Sequence, residues 1–341
     1  MTKRARKKVA MSSTDSHGES HLETPPKSPA ESHLARELRT QPDDWRWAAQ
    51  RAAEVADLLP AAGERVAAVG CGTSLFMARA YAELRQAAGD GWTDAFPASE
   101  HHLLRGPGGY DRVVVICRSG TTSEVIEVVE ELVAAGIPHV AIVATPGTPV
   151  AERAQHVILL DRVDEKSVVQ TRFATTTLAL LRASVGSASG SAAGAGGAAA
   201  VAAAAADAAA VVDAADDELL ADLLDAQQVT FLGRGWTVGL AEEAALKLRE
   251  SAQFWTESYP AMEYRHGPIS IAAPGRVTWA LGEVPEGLAE EVRATGGHFE
   301  HRDVDPMAEL VRVHRLCLAL AAARGLDPDE PRHLSRSIIL S

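Results

Sequence analysis

Aromatic residues are scarce in this chain, at 5% of its length. So few rings do not make the stacking platform on which single-stranded nucleic acid is held. Cysteine is scarcer still. Cys71, Cys117 and Cys317 are too few and too scattered for a disulfide framework or a zinc cage, and they point to a reducing cytoplasm. No apolar run approaches the roughly 18 residues that cross a bilayer, so no membrane partner is expected. The start is basic, but Val9 and Ala10 lead straight into polar sequence, without the apolar stretch of a secretory signal. Positive charge is in deficit: 33 Lys and Arg stand against 46 Asp and Glu, a net charge of −13. That balance argues against nucleic acid or any general polyanion as a partner. No group of His, Cys and carboxylates has ligand spacing, so neither a metal nor another cofactor is expected.

What remains is apolar substance, 46% of 341 residues, enough for one or two full cores. Residues 1–33 are rich in Ser, Pro, Glu and His and read as a disordered tail. Ser184 to Gly197 reads as a flexible Gly/Ser/Ala connector, and Ala198 to Ala226 as one long alanine-rich helix. The division is therefore a tail (1–33), a first folded domain (34–186), a connector and helix (187–222) and a second domain (223–341). In the first domain, short β-branched runs at Arg65–Gly70, Arg112–Cys117, His139–Ala144 and His156–Leu160 alternate with helical patterns at Phe76–Gln86 and Glu124–Ala135. Continuous apolar strands separated by helices imply a parallel sheet covered on both faces, an α/β fold.

The two halves repeat each other. Val66-Ala-Ala-Val-Gly-Cys-Gly-Thr lies 163 positions before Val229-Thr-Phe-Leu-Gly-Arg-Gly-Trp, and Phe96-Pro-Ala-Ser-Glu100 falls on Tyr259-Pro-Ala-Met-Glu263 at the same offset. A shared register over about 30 residues indicates duplication. It predicts two similar lobes with a site in the crevice between them.

Five segments carry chemistry. Gly70-Cys-Gly-Thr-Ser74 is either a tight strand-to-helix turn or a place where a ligand meets backbone; Leu75 stands where a dinucleotide fingerprint needs glycine. Cys117-Arg-Ser-Gly-Thr-Thr-Ser-Glu124 offers four hydroxyls beside a helix N-terminus. One would cap a helix, while four suit a phosphate monoester. Ser167-Val-Val-Gln-Thr-Arg172 is a polar rim or a helix cap. On the helix around Glu242–Phe254, Glu243, Lys247 and Glu250 fall within about 60° at about 100° per residue; the stripe is solvated or faces a cleft. Glu263-Tyr-Arg-His-Gly-Pro268 places His266 on an irregular turn, where it is structural or functional.

Taken in order, these segments resemble the sugar isomerase (SIS) family of phosphosugar-binding proteins, the isomerase half of glucosamine-6-phosphate synthase above all. Phe231-Leu-Gly-Arg-Gly235, Ala245-Leu-Lys-Leu-Arg-Glu250, His266-Gly-Pro268 and Pro331-Arg-His-Leu-Ser-Arg336 match in order and spacing, over about Ser32 to Ser341. The resemblance implies two tandem flavodoxin-like lobes and a small-molecule sugar phosphate as ligand. By position, Ser119 and Thr122 hold the phosphate, with Cys117 and Arg118 in the same loop. Thr73 and Ser74 meet the sugar, and Val168 and Gln170 line its other side. Glu250 moves the proton between C1 and C2, and Glu243 and Lys247 support it. His266 opens the ring, and in the family such a histidine can reach in from a neighbouring subunit; a homodimer is expected. A base near neutrality suits enolisation, as a carboxylate in a partly dry cleft can provide.

Two departures redirect the resemblance. Residues 1–33 hold no cysteine, so glutamine-dependent nitrogen transfer is not expected. Arg336 occupies the position of a Schiff-base lysine; it stays protonated and forms no imine, though it can bind an anion or sugar oxygens. The expected activity is that of a phosphosugar isomerase or aminosugar-6-phosphate deaminase. Arg336 and Cys117 motivate the other reading, a non-catalytic phosphosugar-binding regulatory protein.

Overall fold

A computed structural model describes residues 32–103, 109–186 and 196–340. The expected tail, apart from Ser32 and His33, and most of the expected connector lie outside the described residues. His33 already belongs to a helix, α1 (His33–Glu54), capped by the Ser32 hydroxyl, which accepts from the Ala35 N–H.

The first sheet follows as β1 (Val66–Gly70), α2 (Thr73–Ala87), β2 (Thr93–Pro97), β3 (Arg112–Ile116), α3 (Ser123–Ala135), β4 (His139–Val143), α4 (Pro149–Arg153), β5 (His156–Leu159) and α5 (Arg172–Ser184). Its strands are all parallel, in the order β2-β1-β3-β4-β5. Two helices, α6 (Ala198–Asp213) and α7 (Asp216–Leu220), lead to the second sheet. It is built from β6 (Gln228–Gly233), α8 (Thr237–Ala252), β7 (Thr256–Pro260), β8 (Arg276–Leu281), α9 (Leu288–Ala294) and β9 (His298–Glu300), with α10 (Pro306–Ala323) after it. Its order, β7-β6-β8-β9, repeats the first four positions of the first sheet. Both are flavodoxin-like, with the reversal of strand order between the first and third strands of each lobe.

Pleating sorts the strand residues. Val66 and Ala68 of β1, with Val114 and Ile116 of β3, join a core shared by both lobes. Ala67 and Val69, with Val113, Val115 and Cys117, face a separate layer under α3 and α4. A third cluster, around Leu232, Tyr264 and Leu288, covers the outer face of the second sheet. Strands buried on both faces explain why each read as an unbroken apolar run.

The long alanine helix is shorter than its composition suggests, and it is no mere connector. Val201, Ala204, Ala205, Ala208 and Val211 of α6 are buried, and the helix packs on α1 and α10. It stops at Asp213 because Arg315 of α10 claims its last carbonyls, donating to Val211 O at 2.5 Å and to Ala214 O at 2.7 Å.

The lobes dock through α2 and α8. Arg79 pairs with Glu242, and a Cβ on Gly239 would stand 2.4 Å from Phe76 O. Both pairs are 163 residues apart, the offset of the repeat, so equivalent positions touch each other. An approximate twofold axis therefore passes between these helices, and Gly239 permits the close approach.

Candidate active site

β1 and β3 are neighbours, and the turns that leave them open one crevice. Gly70 ends β1, and a Cβ there would fall 2.7 Å from Ser74 C, so the glycine lets α2 begin tight against the strand. Thr73 and Ser74 open that helix and are buried. After β3 the chain runs through Cys117 to Thr122 before α3. Gly120 takes φ +65 there, and a Cβ would meet Thr148 Oγ1 at 2.0 Å. Ser119 Oγ accepts from the Thr121 N–H at 3.2 Å, and Cys117 Sγ lies 3.8 Å from both Ser119 Oγ and Thr122 Oγ1.

The four hydroxyls of this loop divide their work. Ser119 and Thr122 line a cavity of about 200 Å³. Thr121 and Ser123 turn to the C-terminal segment. Thr121 donates to Ser337 Oγ at 2.9 Å, and Ser123 Oγ accepts from the Leu340 N–H at 2.9 Å. The Ser123 N–H, at the start of α3, donates to Ile338 O at 3.1 Å. The segment from Leu334 to Ile338 thus forms one wall of the cavity.

The opposite wall is the loop before α5, which supplies Val168 and Gln170. Two buried glutamates hold it. Glu37 of α1 accepts from the Lys166 N–H at 2.6 Å, and Glu165 accepts from the N–H groups of Thr171 at 2.6 Å and Arg172 at 2.8 Å. Burial, with the Glu165 charge adding, pushes the Glu37 carboxyl up to about 7. Gln170 Nε2 is buried without a partner among the described residues.

The second lobe closes the cavity with α8. Its acidic stripe faces this cleft, not solvent. Lys247 Nζ donates to Glu250 Oε2 at 2.5 Å and lies 3.6 Å from Glu243 Oε1. Glu243 and Lys247 are each 1% exposed by side chain, against 19% for Glu250. Lys247 and Glu250 line the cavity, and Glu243 stands behind them near Thr73 of the first lobe, its two carboxylate oxygens buried without a hydrogen-bond partner among the described residues. Burial pushes Glu243 up to about 7, against the pull of Lys247 and with Glu250 adding to the rise. Burial pulls Lys247 down, but the two carboxylates outweigh it and hold the ammonium above its usual range.

Two expected residues sit elsewhere. His266 is exposed on a single helical turn, Glu263–His266, and does not line the cavity of its own chain. Arg336 borders the cavity, but its guanidinium turns to the Asp164 carboxylate, the Glu165 carbonyl and, at 3.3 Å, Thr145 Oγ1. It is committed there and not to a ligand. Sequence reasoning missed Glu165, Glu37 and, in the wall from Leu334 to Ile338, every residue but Arg336. Cys71, also in the lining, was visible inside Gly70-Cys-Gly-Thr-Ser74.

Residues 60–186, most of the first lobe, match the SIS domain family. The chain is 29% identical over 282 residues to glutamine–fructose-6-phosphate aminotransferase (isomerizing) of Aeropyrum pernix, covering 71% of this chain and 45% of that one. The same enzyme of Sulfurisphaera tokodaii is 27% identical over 300 residues, covering 81% and 50%. The chain thus spans about half the length of these relatives. Among solved structures, glucosamine-6-phosphate deaminase of Thermotoga maritima superposes with a TM-score of 0.74 at 21% identity, covering 91% of this chain and 100% of the other. Tagatose-6-phosphate ketose/aldose isomerase of Escherichia coli gives 0.70 at 18% identity, covering 92% and 99%. These likenesses establish the fold across both lobes.

Proposed function

We propose that this chain is a phosphosugar isomerase or aminosugar-6-phosphate deaminase that moves a proton between C1 and C2 of an open-chain sugar 6-phosphate. One observation carries the reading: Glu250, hydrogen-bonded to a buried ammonium, shares a cavity with the Ser119 and Thr122 hydroxyls. A phosphate held by those hydroxyls would fix one end of the substrate, and Thr73 and Ser74 would meet the sugar. Val168 and Gln170 would border its flank and Glu250 its other end.

Each step falls to a named group. The Glu250 carboxylate takes the C–H proton, leaving an enediol or enolamine, and returns it to the neighbouring carbon. Lys247, held between its two carboxylates, orients Glu250 through the hydrogen bond from its ammonium. For an amino sugar, hydrolysis of the resulting imine releases ammonia and leaves the ketose. Ring opening is assigned to His266 of a second copy, which makes the working form a homodimer. We place it in the cytoplasm, in keeping with its three free cysteines.

Proton NMR in D₂O with glucosamine 6-phosphate, galactosamine 6-phosphate and fructose 6-phosphate tests this, with ammonia assayed alongside. Deuterium entry at C1 or C2 is expected, reduced roughly 10³-fold in Glu250→Gln. Binding of all three sugars without exchange would overturn the enzyme reading in favour of a phosphosugar-binding regulator. The commitment of Arg336 to Asp164 is the observation that favours that second reading.

A further inference from the structure

Arg118 stands between Cys117 and Ser119, in the loop assigned to phosphate, and by position it would be a ligand of the sugar phosphate. Its geometry gives it other work. The side chain is only 4% exposed. Nη1 donates to Val168 O at 3.2 Å and Ser167 O at 3.3 Å, and Nη2 donates to Arg336 O at 2.8 Å. Nη1 also lies 3.6 Å from Glu165 Oε2, the counter-ion of a guanidinium with almost no access to water. Nε is buried with no partner among the described residues.

The three carbonyls come from the two walls that face the phosphate loop. One wall is the 164–171 loop, and the other is the C-terminal segment. Glu165 ties in the far end of the first wall, since it also accepts from the N–H groups of Thr171 and Arg172. A lysine would bring a point charge. The planar fork of arginine reaches divergent acceptors at once. The charge is neutralised inside the protein before any anion arrives.

We propose that Arg118 is a positioning residue, not a phosphate ligand: a buried tether that holds the sugar-facing loop and the C-terminal segment against the phosphate loop, so that the three close as one body. The proposal rests on the reading of this cavity as the sugar-phosphate site, but its main test does not need the reaction. Losing the tether should loosen both walls and leave the hydroxyl cradle intact.

Hydrogen exchange followed by mass spectrometry on the full chain, in wild type, Arg118→Met and Arg118→Lys, measures the walls directly. In Arg118→Met, exchange should rise at least tenfold across 165–170 and 335–340 and stay unchanged within α2. Arg118→Lys should recover part of the protection, as one shorter donor group replaces the fork. Inorganic phosphate, titrated by calorimetry, should bind all three proteins within about threefold. Wherever turnover is detected, Arg118→Met should lower kcat tenfold or more with KM nearly constant. Unchanged exchange in both walls would overturn the tether. So would a tenfold loss of phosphate affinity with the walls still protected, which would make Arg118 the ligand its position suggests. Should Arg118→Met not fold, Glu165→Gln gives the same test. It leaves the three carbonyl bonds in place and should raise exchange less than Arg118→Lys does; an equal or larger rise would assign the walls to Glu165 and overturn the tether.

Discussion

The same turn occurs twice in this molecule, and only one copy suits an anion. In the first lobe, Gly70-Cys-Gly-Thr-Ser74 and Cys117 to Thr122 offer hydroxyls and a thiol, and the charges nearby are buried and paired. In the second lobe, the equivalent strand ends carry Arg234 and Glu283, which pair at the surface with side chains 51% and 69% exposed. A phosphate approaching β8 would meet Glu283 and Glu286. The second lobe contributes instead through the flank of α8, where Glu243, Lys247 and Glu250 reach across to the first lobe. The second lobe has a crevice of its own, about 500 Å³, lined by Arg234, Gly235 and Glu283 among others. In the proposed reaction, charge placement would leave the first lobe to hold the ligand and make the other lobe the supplier of the base.

The comparison can be broken at the axis between the lobes. Gly239→Val would drive a branched side chain into the backbone of α2 at Phe76 and Ala80. A loss of about 3 kcal/mol or more is expected in urea unfolding, together with nearly all activity. Next in size, Ser119→Ala with Thr122→Ala should raise KM for the sugar phosphate roughly 30-fold with kcat much less affected, read from steady-state kinetics. An unchanged KM would remove the phosphate from this loop.

The buried charges of the first lobe give a pH signature. Glu37 has its carboxyl raised from 4.5 to about 7. Below about 4.5 it is protonated whether the chain is folded or not. Between 4.5 and 7 the unfolded chain ionises while the folded one keeps its proton, so stability falls as pH rises. Glu37→Gln should therefore gain about 2–3 kcal/mol on wild type between pH 4.5 and 7.5 in urea unfolding. A flat difference would show that Glu37 is ionised in the folded chain. The smallest effect belongs to the second lobe: Arg234→Ala, at an exposed pair, should change stability by less than about 0.5 kcal/mol and leave KM alone.

Strands β1, β3, β4 and β5 were legible because burial leaves largely unbroken apolar runs, and their ends matched within a residue or so, while β8 and β9 were not named. The repeat was legible for a related reason: a strand that turns into a helix needs small residues at fixed places. The edge strands β2 and β7 were seen only as repeated sequence, since Thr93-Asp-Ala-Phe-Pro97 is half-buried and mixed in polarity. Most cavity residues were found because they sit at strand ends or on one helix face, where local spacing speaks. The walls were not. Arg118 and Glu37 act on backbone carbonyls and N–H groups of distant segments, and any residue type can offer those. Arg336 shows the same limit, because its partner Asp164 lies 172 positions away.

The reach of Glu243 to Thr73 has a consequence for how the protein comes into being. Each sheet is made largely from neighbouring segments, and its strands and crossovers can find one another early. The cavity needs residues 73 and 243, or 118 and 336, to meet across most of the chain, and such closures come late. During refolding, helix and strand signal should return first, and catalytic competence should lag behind it, appearing only as α2 and α8 lock together. On this order of events, the proposed activity would be the last property the chain acquires.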